Sequence, residues 1–251
     1  MCGIIGIISD KQVADPIFDG LKRLEYRGYD SAGIATLAGG QLQRRRAEGK
    51  LDALAHELKA EPLSGCVGIG HTRWATHGPA IEANAHPHRS EKVAVVHNGI
   101  IENYRDLKQQ LMAEGAEFTS DTDTEVIAHL FSQNLRAKDD MMAAAAATFA
   151  ALDGTYAVAL IVEGLENRMI IARNGSPLAV GYGSGEMFIG SDAFALAPFT
   201  NRIAYLDDGD WAVVSDTGAE IFAADGSGVT PQQGDREEAT ALVERCKNGH
   251  E

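Results

Sequence analysis

The sequence predicts a layered fold of the α/β or α+β class, in which helices cover β-sheets. Two observations lead to this prediction. Short apolar runs rich in β-branched residues recur along the chain, and most are continuous rather than alternating. Continuous apolar strands are typical of sheets that are buried on both faces. Segments with the helical spacing of apolar residues lie between these runs, so helices are available to cover the sheets.

The expected strands are short apolar runs. They cover residues 4–8, 67–71, 93–96, 156–162, 169–172, 187–189 and 211–214. The first run has no basic segment before it and no small-residue cleavage site after it, which argues against a signal peptide. We therefore expect residues 4–8 to form a buried strand.

Four segments have helical patterns. Their apolar positions are Ile17, Phe18, Leu21 and Leu24 in the first, Tyr104, Leu107 and Leu111 in the second, and Val126, Ile127, Leu130 and Phe131 in the third; the fourth is the alanine-rich run 142–151. The sequence Thr122-Asp123-Thr124-Glu125 precedes the third pattern. Its Thr-x-x-Glu spacing predicts a capping box at the start of that helix.

Length and charge limit the partners. The chain has 251 residues with 22 basic and 36 acidic side chains, a formal net charge of −14. This balance disfavours nucleic acids and anionic membranes as partners, and no apolar run is long enough to span a bilayer. The one basic cluster, residues 44–46, is expected to be a solvated strand end or loop.

Three cysteines without metal-ligand spacing or a disulfide framework indicate a cytoplasmic protein.

One domain with a short appendage is expected. The strand and helix patterns end before a mostly polar segment, and residues 235–247 beyond it have the pattern of a short charged helix. We therefore predict a domain over residues 1–228 and a C-terminal appendage over residues 229–251.

Cys2 is the first candidate for chemistry. A small second residue permits removal of the initiator Met1, which would place a thiol and an α-amine on one residue. The pKa of an α-amine is about 8 and that of a thiol about 8.5, so the amine can act as the local base. The alternative is a small apolar residue in a strand, and position 2 alone favours that alternative.

Asn98 and Gly99 follow an expected strand. A side-chain amide beside a flexible backbone N–H supplies two donors that can converge on one oxygen, as an oxyanion hole requires. An ordinary Asn-Gly turn is the commoner use of this dipeptide.

The segment 71–79 also follows a strand, and it contains Arg73 and Trp74. An arginine can bind both oxygens of a carboxylate, and the tryptophan suggests a loop that folds over a ligand. The alternative is a surface loop with a packed tryptophan.

Asp123 could bind an ammonium group, but acids are also favoured in a first helical turn. His86 and His88 could suggest a metal; without further ligands, we expect them to form hydrogen bonds within their loop.

Taken together, these motifs resemble a known family. The matching stretches are residues 1–4, 24–33, 71–78, 84–88, 95–103 and 122–126. They are similar to the N-terminal glutaminase domain of the glutamine–fructose-6-phosphate aminotransferases, which are class II glutamine amidotransferases, and the resemblance covers about the first 225 residues. It implies an α+β fold of the N-terminal-nucleophile hydrolase type, a four-layer αββα sandwich.

The resemblance also implies a role for each candidate residue. Cys2 would attack the side-chain amide of L-glutamine, and the thioester would be hydrolysed to glutamate after ammonia leaves. The oxyanion donors would be Asn98 and Gly99; Arg73 would bind the α-carboxylate and Asp123 the α-ammonium; Trp74, Thr76 and His77 would form the binding loop and flap; and Arg27 and His86 would support the site. No metal or organic cofactor is implied.

The chain departs from the resembled family in one respect. The sugar-phosphate isomerase domain that uses the ammonia to make glucosamine 6-phosphate is expected to be absent, so the acceptor would be a separate domain or subunit. Two other functions remain open: an N-terminal-nucleophile amidohydrolase acting on a different amide, and a non-catalytic module that senses glutamine. Arg73 and Asp123 argue against the first, and the presence of Cys2, Asn98 and Gly99 argues against the second.

Overall fold

The computed structural model describes residues 2–230 and the backbone of Gly234–Asp235. The strands of this part of the chain are β1 (Gly3–Ile8), β2 (Ser31–Ala38), β3 (Gln41–Glu48), β4 (Val67–Arg73), β5 (His88–Ser90), β6 (Val93–Ile101), β7 (Gly154–Val162), β8 (Arg168–Asn174), β9 (Ala179–Tyr182), β10 (Met187–Gly190), β11 (Arg202–Tyr205), β12 (Trp211–Ser215), β13 (Gly218–Phe222), β14 (Gly228–Val229) and β15 (Gly234–Asp235). The helices described are α1 (Ala14–Leu24), α2 (Leu51–Ala60), α3 (Tyr104–Ala113), α4 (Glu125–Lys138), α5 (Met141–Ala150) and α6 (Ala193–Leu196).

These strands form two sheets in the described part of the chain. The first sheet has the order β15-β11-β9-β10-β1-β4-β2-β3, and the second has the order β14-β13-β12-β8-β7-β6-β5. Neighbouring strands are antiparallel in both sheets. One apolar core lies between the two sheets, a second between the second sheet and helices α3 to α5, and a third between the first sheet and helices α1, α2 and α6. The architecture is therefore the expected αββα sandwich.

Strand β1 illustrates why the central strands are apolar throughout. Ile5 and Ile7 pack in the core beneath the helices, whereas Ile4 and Ile8 pack in the core between the sheets. Gly6 faces the second sheet so closely that a Cβ atom would lie 2.7 Å from the sulfur of Met169. Because side chains alternate between the faces of a strand, a strand covered on both faces reads as a continuous apolar run.

All seven predicted strands and the four helices predicted before residue 229 are confirmed, with small differences at their ends. The prediction of a capping box at residues 122–125 is wrong. Helix α4 begins at Glu125 itself, and Thr124 precedes it without a side-chain capping bond. The Glu125 carboxylate instead accepts hydrogen bonds from the N–H groups of Thr119 and Ser120, at 2.7 to 3.1 Å. It therefore fixes the preceding loop rather than the first turn of the helix.

The interpretation of residues 44–46 as a solvated strand end or loop is also wrong. These arginines lie in the middle of β3 and are half-buried. The helix predicted over residues 235–247 lies outside the described residues except for Asp235, which pairs with β11. No helix among the described residues is long and apolar enough to cross a membrane.

Candidate active site

A cavity of about 320 Å³ opens at the start of β1 and near the ends of β4 and β6, so that both sheets contribute to it. Every residue proposed for the site on sequence grounds lines this cavity: Cys2, Arg27, Arg73, Trp74, Thr76, His77, His86, Asn98, Gly99 and Asp123. Residues not predicted for the site also line it: His97, Ile100, Thr122, Thr124, Thr155, Ser176 and Pro177. The fold thus gathers residues from widely separated stretches of sequence around one space.

Cys2 precedes β1, whose Gly3 pairs with Thr72 of β4. This register brings the thiol beside Trp74, the residue after β4. The N–H of Trp74 donates to Cys2 Sγ at 3.2 Å, and the thiol donates to the Trp74 carbonyl at 3.5 Å. Burial raises the pKa of the Cys2 thiol, so the group is protonated at neutral pH and needs a base to become a nucleophile.

Asn98 and Gly99 lie within β6, paired with Ala157 and Tyr156 of β7. They do not form the turn that commonly uses this dipeptide. The Asn98 Nδ2 atom donates to the carbonyl oxygen of Cys2 at 3.0 Å, which ties the amide to the residue that carries the thiol. Gly99 has φ +127°, and a Cβ atom there would lie 1.9 Å from the Thr155 carbonyl oxygen, so this position requires glycine.

Arg73 and Asp123 provide one buried cation and one buried anion, each 4% exposed. The Arg73 guanidinium donates to three carbonyl oxygens of its own loop, those of His77, Gly78 and Pro79. Asp123 accepts from the Ile101 N–H at 2.8 Å and lies ahead of the first turn of α4 rather than in it. Among the described residues, neither charge takes part in an ion pair. A ligand that carries one negative and one positive group could therefore form an ion pair with each of these two residues in the cavity.

The loop after β4 is anchored close to the thiol. The Ala75 N–H donates to Asp30 at 2.8 Å, and the Trp74 ring stands edge-on to Tyr29 with the centroids 5.5 Å apart. Trp74 is 45% exposed. The His77 ring meets Tyr104 edge-on at 5.6 Å. The loop thus borders the cavity with an exposed aromatic ring at its mouth.

Arg27 supports the wall of the cavity. Its guanidinium forms an ion pair with Asp192, which also accepts from the Tyr26 hydroxyl at 2.9 Å. The neighbouring Ser191 accepts from the Ile4 N–H at 2.9 Å and so joins this cluster to β1. Tyr26, Ser191 and Asp192 were not predicted for the site. Ser191 and Asp192 had a signal only in the short Gly-Ser-Asp segment at residues 190–192, which is too brief to be specific, whereas Tyr26 lies within the matching stretch 24–33.

Buried histidines lie beneath and beside the cavity: His71, His86, His88 and His97. His86 accepts from the His97 N–H at 3.4 Å, so its other ring nitrogen carries the proton and donates to Thr124 at 3.2 Å. The Thr124 hydroxyl can then donate to His97 Nδ1 at 2.9 Å. Burial lowers the pKa of all four histidines, and they are neutral at pH 7.

His86 and His88 do form hydrogen bonds, but their partners lie outside their own loop: His88 contacts Thr122 at 3.0 Å, and His86 contacts His97 and Thr124. In the part of the chain that the structure describes, no three His, Cys, Asp or Glu residues are arranged to hold a metal ion.

The half-buried arginines of β3 hold the loop that carries His86. Arg46 donates to the carbonyls of Ala83 and Ala85, at 3.1 and 2.8 Å, and Arg44 donates to the Pro87 carbonyl at 3.0 Å. Burial and the positive charge of Arg46 lower the pKa of Arg44 to about 10, and the group remains charged at neutral pH. The basic cluster is therefore part of the scaffold of the site.

A cysteine directly ahead of a central strand in an αββα sandwich is the arrangement of the N-terminal-nucleophile hydrolases, and solved structures of that class match this chain. A glutamine phosphoribosylpyrophosphate amidotransferase from B. subtilis, complexed with ADP and GMP, superposes with a TM-score of 0.78 at 26% identity. The structure of the allosteric regulatory enzyme of purine biosynthesis gives 0.76 at 28% identity. Each match covers 89% of this chain and 49% of the other.

The family model described as a glutamine amidotransferase domain matches residues 71–198. The chain belongs to this glutamine amidotransferase family. It is 54% identical over 250 residues to glutamine–fructose-6-phosphate aminotransferase (isomerizing) from Rhizobium meliloti (strain 1021), and equally similar to the enzyme of that name from Mesorhizobium japonicum. These alignments cover all of this chain but only 41% of each relative. The chain thus corresponds to less than half the length of these relatives.

Proposed function

We propose that this chain is the glutaminase part of a glutamine–fructose-6-phosphate aminotransferase. It hydrolyses L-glutamine to L-glutamate and ammonia, and it supplies the ammonia for synthesis of glucosamine 6-phosphate from fructose 6-phosphate. The observation that carries the proposal is the pair of buried charges, Arg73 and Asp123, which lie in one cavity with the Cys2 thiol and have no ion-pair partner among the described residues. Free glutamine is a zwitterion whose two charges match this pair.

The charges select the free amino acid. Arg73 has more N–H donors than the three carbonyl contacts use, so it can bind an α-carboxylate without releasing its loop. Asp123 keeps a second carboxylate oxygen for an α-ammonium while the first accepts from Ile101. The cavity volume lies at the small end of the range for small-molecule sites, about 300 to 1,000 Å³.

The reaction starts from Cys2 as the first residue, after removal of Met1. The freed α-amine takes the thiol proton through a water molecule, and the sulfur attacks the side-chain carbonyl carbon of glutamine. The oxyanion of the tetrahedral intermediate is stabilised by Asn98 Nδ2 and the Gly99 N–H. The carbon–nitrogen bond then breaks, the nitrogen takes the proton from the α-amine, and ammonia leaves. Water attacks the remaining thioester, which releases glutamate and restores the thiol.

The acceptor of the ammonia is proposed to be a sugar-phosphate isomerase, present either as a further domain or as a separate subunit. The names of the relatives and the 41% share of their length that this chain covers support this arrangement. A reduced catalytic thiol is suited to the cytoplasm, where we place the reaction.

The direct experiment is to measure glutamate release from L-glutamine by the purified chain, with Cys2→Ala and Cys2→Ser beside it. We expect release by the chain and none by either variant. Binding of glutamine without turnover would favour a sensing module instead. Faster hydrolysis of an amide without α-carboxylate and α-ammonium groups would favour a different amidohydrolase.

A further inference from the structure

We infer that His71 is a positioning residue that fixes the Asn98 carboxamide with its N–H side toward Cys2. His71 was not proposed for the site, and it does not line the cavity. Its effect on catalysis rests on the proposed glutaminase function, but its effect on the amide is a property of the fold.

The hydrogen-bond partners of His71 determine which ring nitrogen carries the proton. Its Nε2 atom lies 3.0 Å from Asn98 Oδ1 and 3.0 Å from the carbonyl oxygen of His97. A carbonyl oxygen is only an acceptor, so Nε2 must be the donor. The other nitrogen, Nδ1, is buried and has no hydrogen-bond partner among the residues that the structure describes. His71 is therefore the Nε2-protonated neutral form, and this proton is shared between the two oxygens.

This donor makes the two orientations of the Asn98 amide unequal. In the orientation described, Oδ1 accepts from His71 while Nδ2 donates to the Cys2 carbonyl at 3.0 Å. Rotation of the amide by half a turn would place its NH₂ group against the His71 N–H and its oxygen against the Cys2 carbonyl. Both contacts would then be repulsive, and in a buried site neither group could turn to water. The pair of contacts consequently holds one N–H of the amide on Cys2 and leaves the second for an oxyanion.

The surroundings keep His71 in place and neutral. The residue is fully buried in β4, and its ring stacks on His86 with the centroids 4.1 Å apart. Burial lowers the pKa of His71 to about 3, and it outweighs the hydrogen bonds to Asn98 and to the His97 carbonyl, which raise that pKa. The donor therefore stays in one protonation state throughout the neutral range. A cationic donor at this depth would instead need a counter-charge near the nucleophile.

The kinetic test compares two variants with the wild-type chain. His71→Leu removes the donor at similar volume, whereas the side-chain amide of His71→Gln can place an N–H near the position of Nε2. We expect His71→Leu to lower kcat for glutamine by at least about tenfold, up to the 100- to 1,000-fold that loss of one oxyanion donor typically costs. KM for glutamine should change little, and His71→Gln should recover most of the activity.

Three further measurements separate positioning from general damage. Alkylation of Cys2 by iodoacetamide forms no oxyanion, so its rate should be nearly unchanged in His71→Leu. Glutamate γ-semialdehyde forms a tetrahedral thiohemiacetal with Cys2, so its affinity should fall by about the factor lost in kcat. Combining His71→Leu with Asn98→Ala should add no further loss, since both variants disable the same amide. A wild-type kcat in His71→Leu, or losses that multiply in the double variant, would overturn the inference.

One measurement needs neither a variant that folds nor a working enzyme. The ¹⁵N chemical shifts of the His71 ring in the wild-type chain should show a protonated Nε2 and an unprotonated Nδ1. A protonated Nδ1 would reject the positioning role even if glutaminase activity is found. Conversely, absence of glutaminase activity with the expected ring shifts would reject the proposed function while leaving the positioning of the amide supported.

Discussion

Asn98 Nδ2 lies 3.0 Å from the carbonyl oxygen of Cys2, and this hydrogen bond joins the two sheets beside the cavity. Cys2 leads into a strand of the first sheet, whereas Asn98 belongs to a strand of the second. The nucleophile candidate and the oxyanion donor candidate are thus held at a fixed separation by the packing of two large sheets. Rigid elements of this kind place catalytic groups more accurately than loops do.

Loss of the Asn98 amide should act on the chemical step. We expect Asn98→Ala to lower kcat for glutamine by about 100- to 1,000-fold with a small change in KM, as is typical for an oxyanion donor. Asn98→Asp is the matched control, because it keeps the size of the side chain but replaces donors by acceptors; it should be at least as damaging. Steady-state glutamate release measures both variants. A rise in KM without a fall in kcat would mean that Asn98 binds the ground state instead.

The buried charges should determine which amides are hydrolysed. Removing one partner of a buried charge pair costs about 2 kcal/mol or more, so Arg73→Ala should raise KM for glutamine by at least about 30-fold. The reactivity of Cys2 toward iodoacetamide should change much less. Arg73→Lys keeps the charge but cannot bind both carboxylate oxygens at once, so its KM for glutamine should lie between those of the wild-type chain and Arg73→Ala. Glutamine binding that is unchanged in Arg73→Ala would reject the assignment.

Asp123 allows a sharper test, since Asp123→Asn retains an oxygen that can accept from the Ile101 N–H and changes only the charge. The wild-type chain should strongly prefer glutamine over glutaramate, which lacks the α-ammonium group. Asp123→Asn should lose most of that preference, chiefly through slower hydrolysis of glutamine. Comparison of kcat/KM for the two substrates measures this effect. A preference that persists in the variant would place the ammonium site elsewhere.

Sequence patterns predicted seven of the strands, because burial on both faces leaves a continuous apolar run, as in β1 and β6. They missed other strands, among them β2 and β3; in β3 three consecutive arginines hide a strand whose Arg44 and Arg46 side chains bond to distant carbonyls. The candidate site residues were proposed from motifs, and the structure places them around one cavity, whereas no motif pointed to the contacts of His71 and Thr124. Their roles depend on partners 26 to 38 residues away along the chain, and no local pattern encodes those contacts.

Arg46 of β3 should contribute more to stability than an arginine whose only partner is exposed. Arg46→Met would leave the carbonyls of Ala83 and Ala85 without their donor, which should cost about 1 to 3 kcal/mol in the free energy of unfolding. Arg136 is a suitable control, because its ion pair with Glu91 is exposed at both ends; Arg136→Met should cost less than about 1 kcal/mol. Urea unfolding of the two variants measures the difference. Equal losses would mean that Arg46 does not hold the loop.

The neutral histidines should make the fold sensitive to acid. Burial depresses the pKa of His71, His86, His88 and His97 below the ordinary value of 6.5. Between the folded and the unfolded pKa the unfolded chain binds more protons, so stability is fully present above pH 6.5 and falls as the pH is lowered. Unfolding temperatures measured between pH 7.5 and 4.5 should therefore decrease. His71→Gln should reduce this slope, whereas a substitution of the exposed His56 to Gln should leave it unchanged; equal slopes in all three proteins would contradict the prediction.

The freed α-amine of Cys2 is the last requirement of the mechanism. Because burial raises the pKa of the thiol, a base must be present before sulfur can attack at neutral pH. When the chain is expressed with Met1 encoded, its measured mass should correspond to the chain without Met1. A variant with an uncleaved residue ahead of Cys2 should have the same unfolding temperature but release no glutamate. Raising the pH to about 9 should restore thiol alkylation in that variant, since bulk hydroxide then replaces the amine as base. Full glutaminase activity with the extra residue in place would assign the role of base to another group.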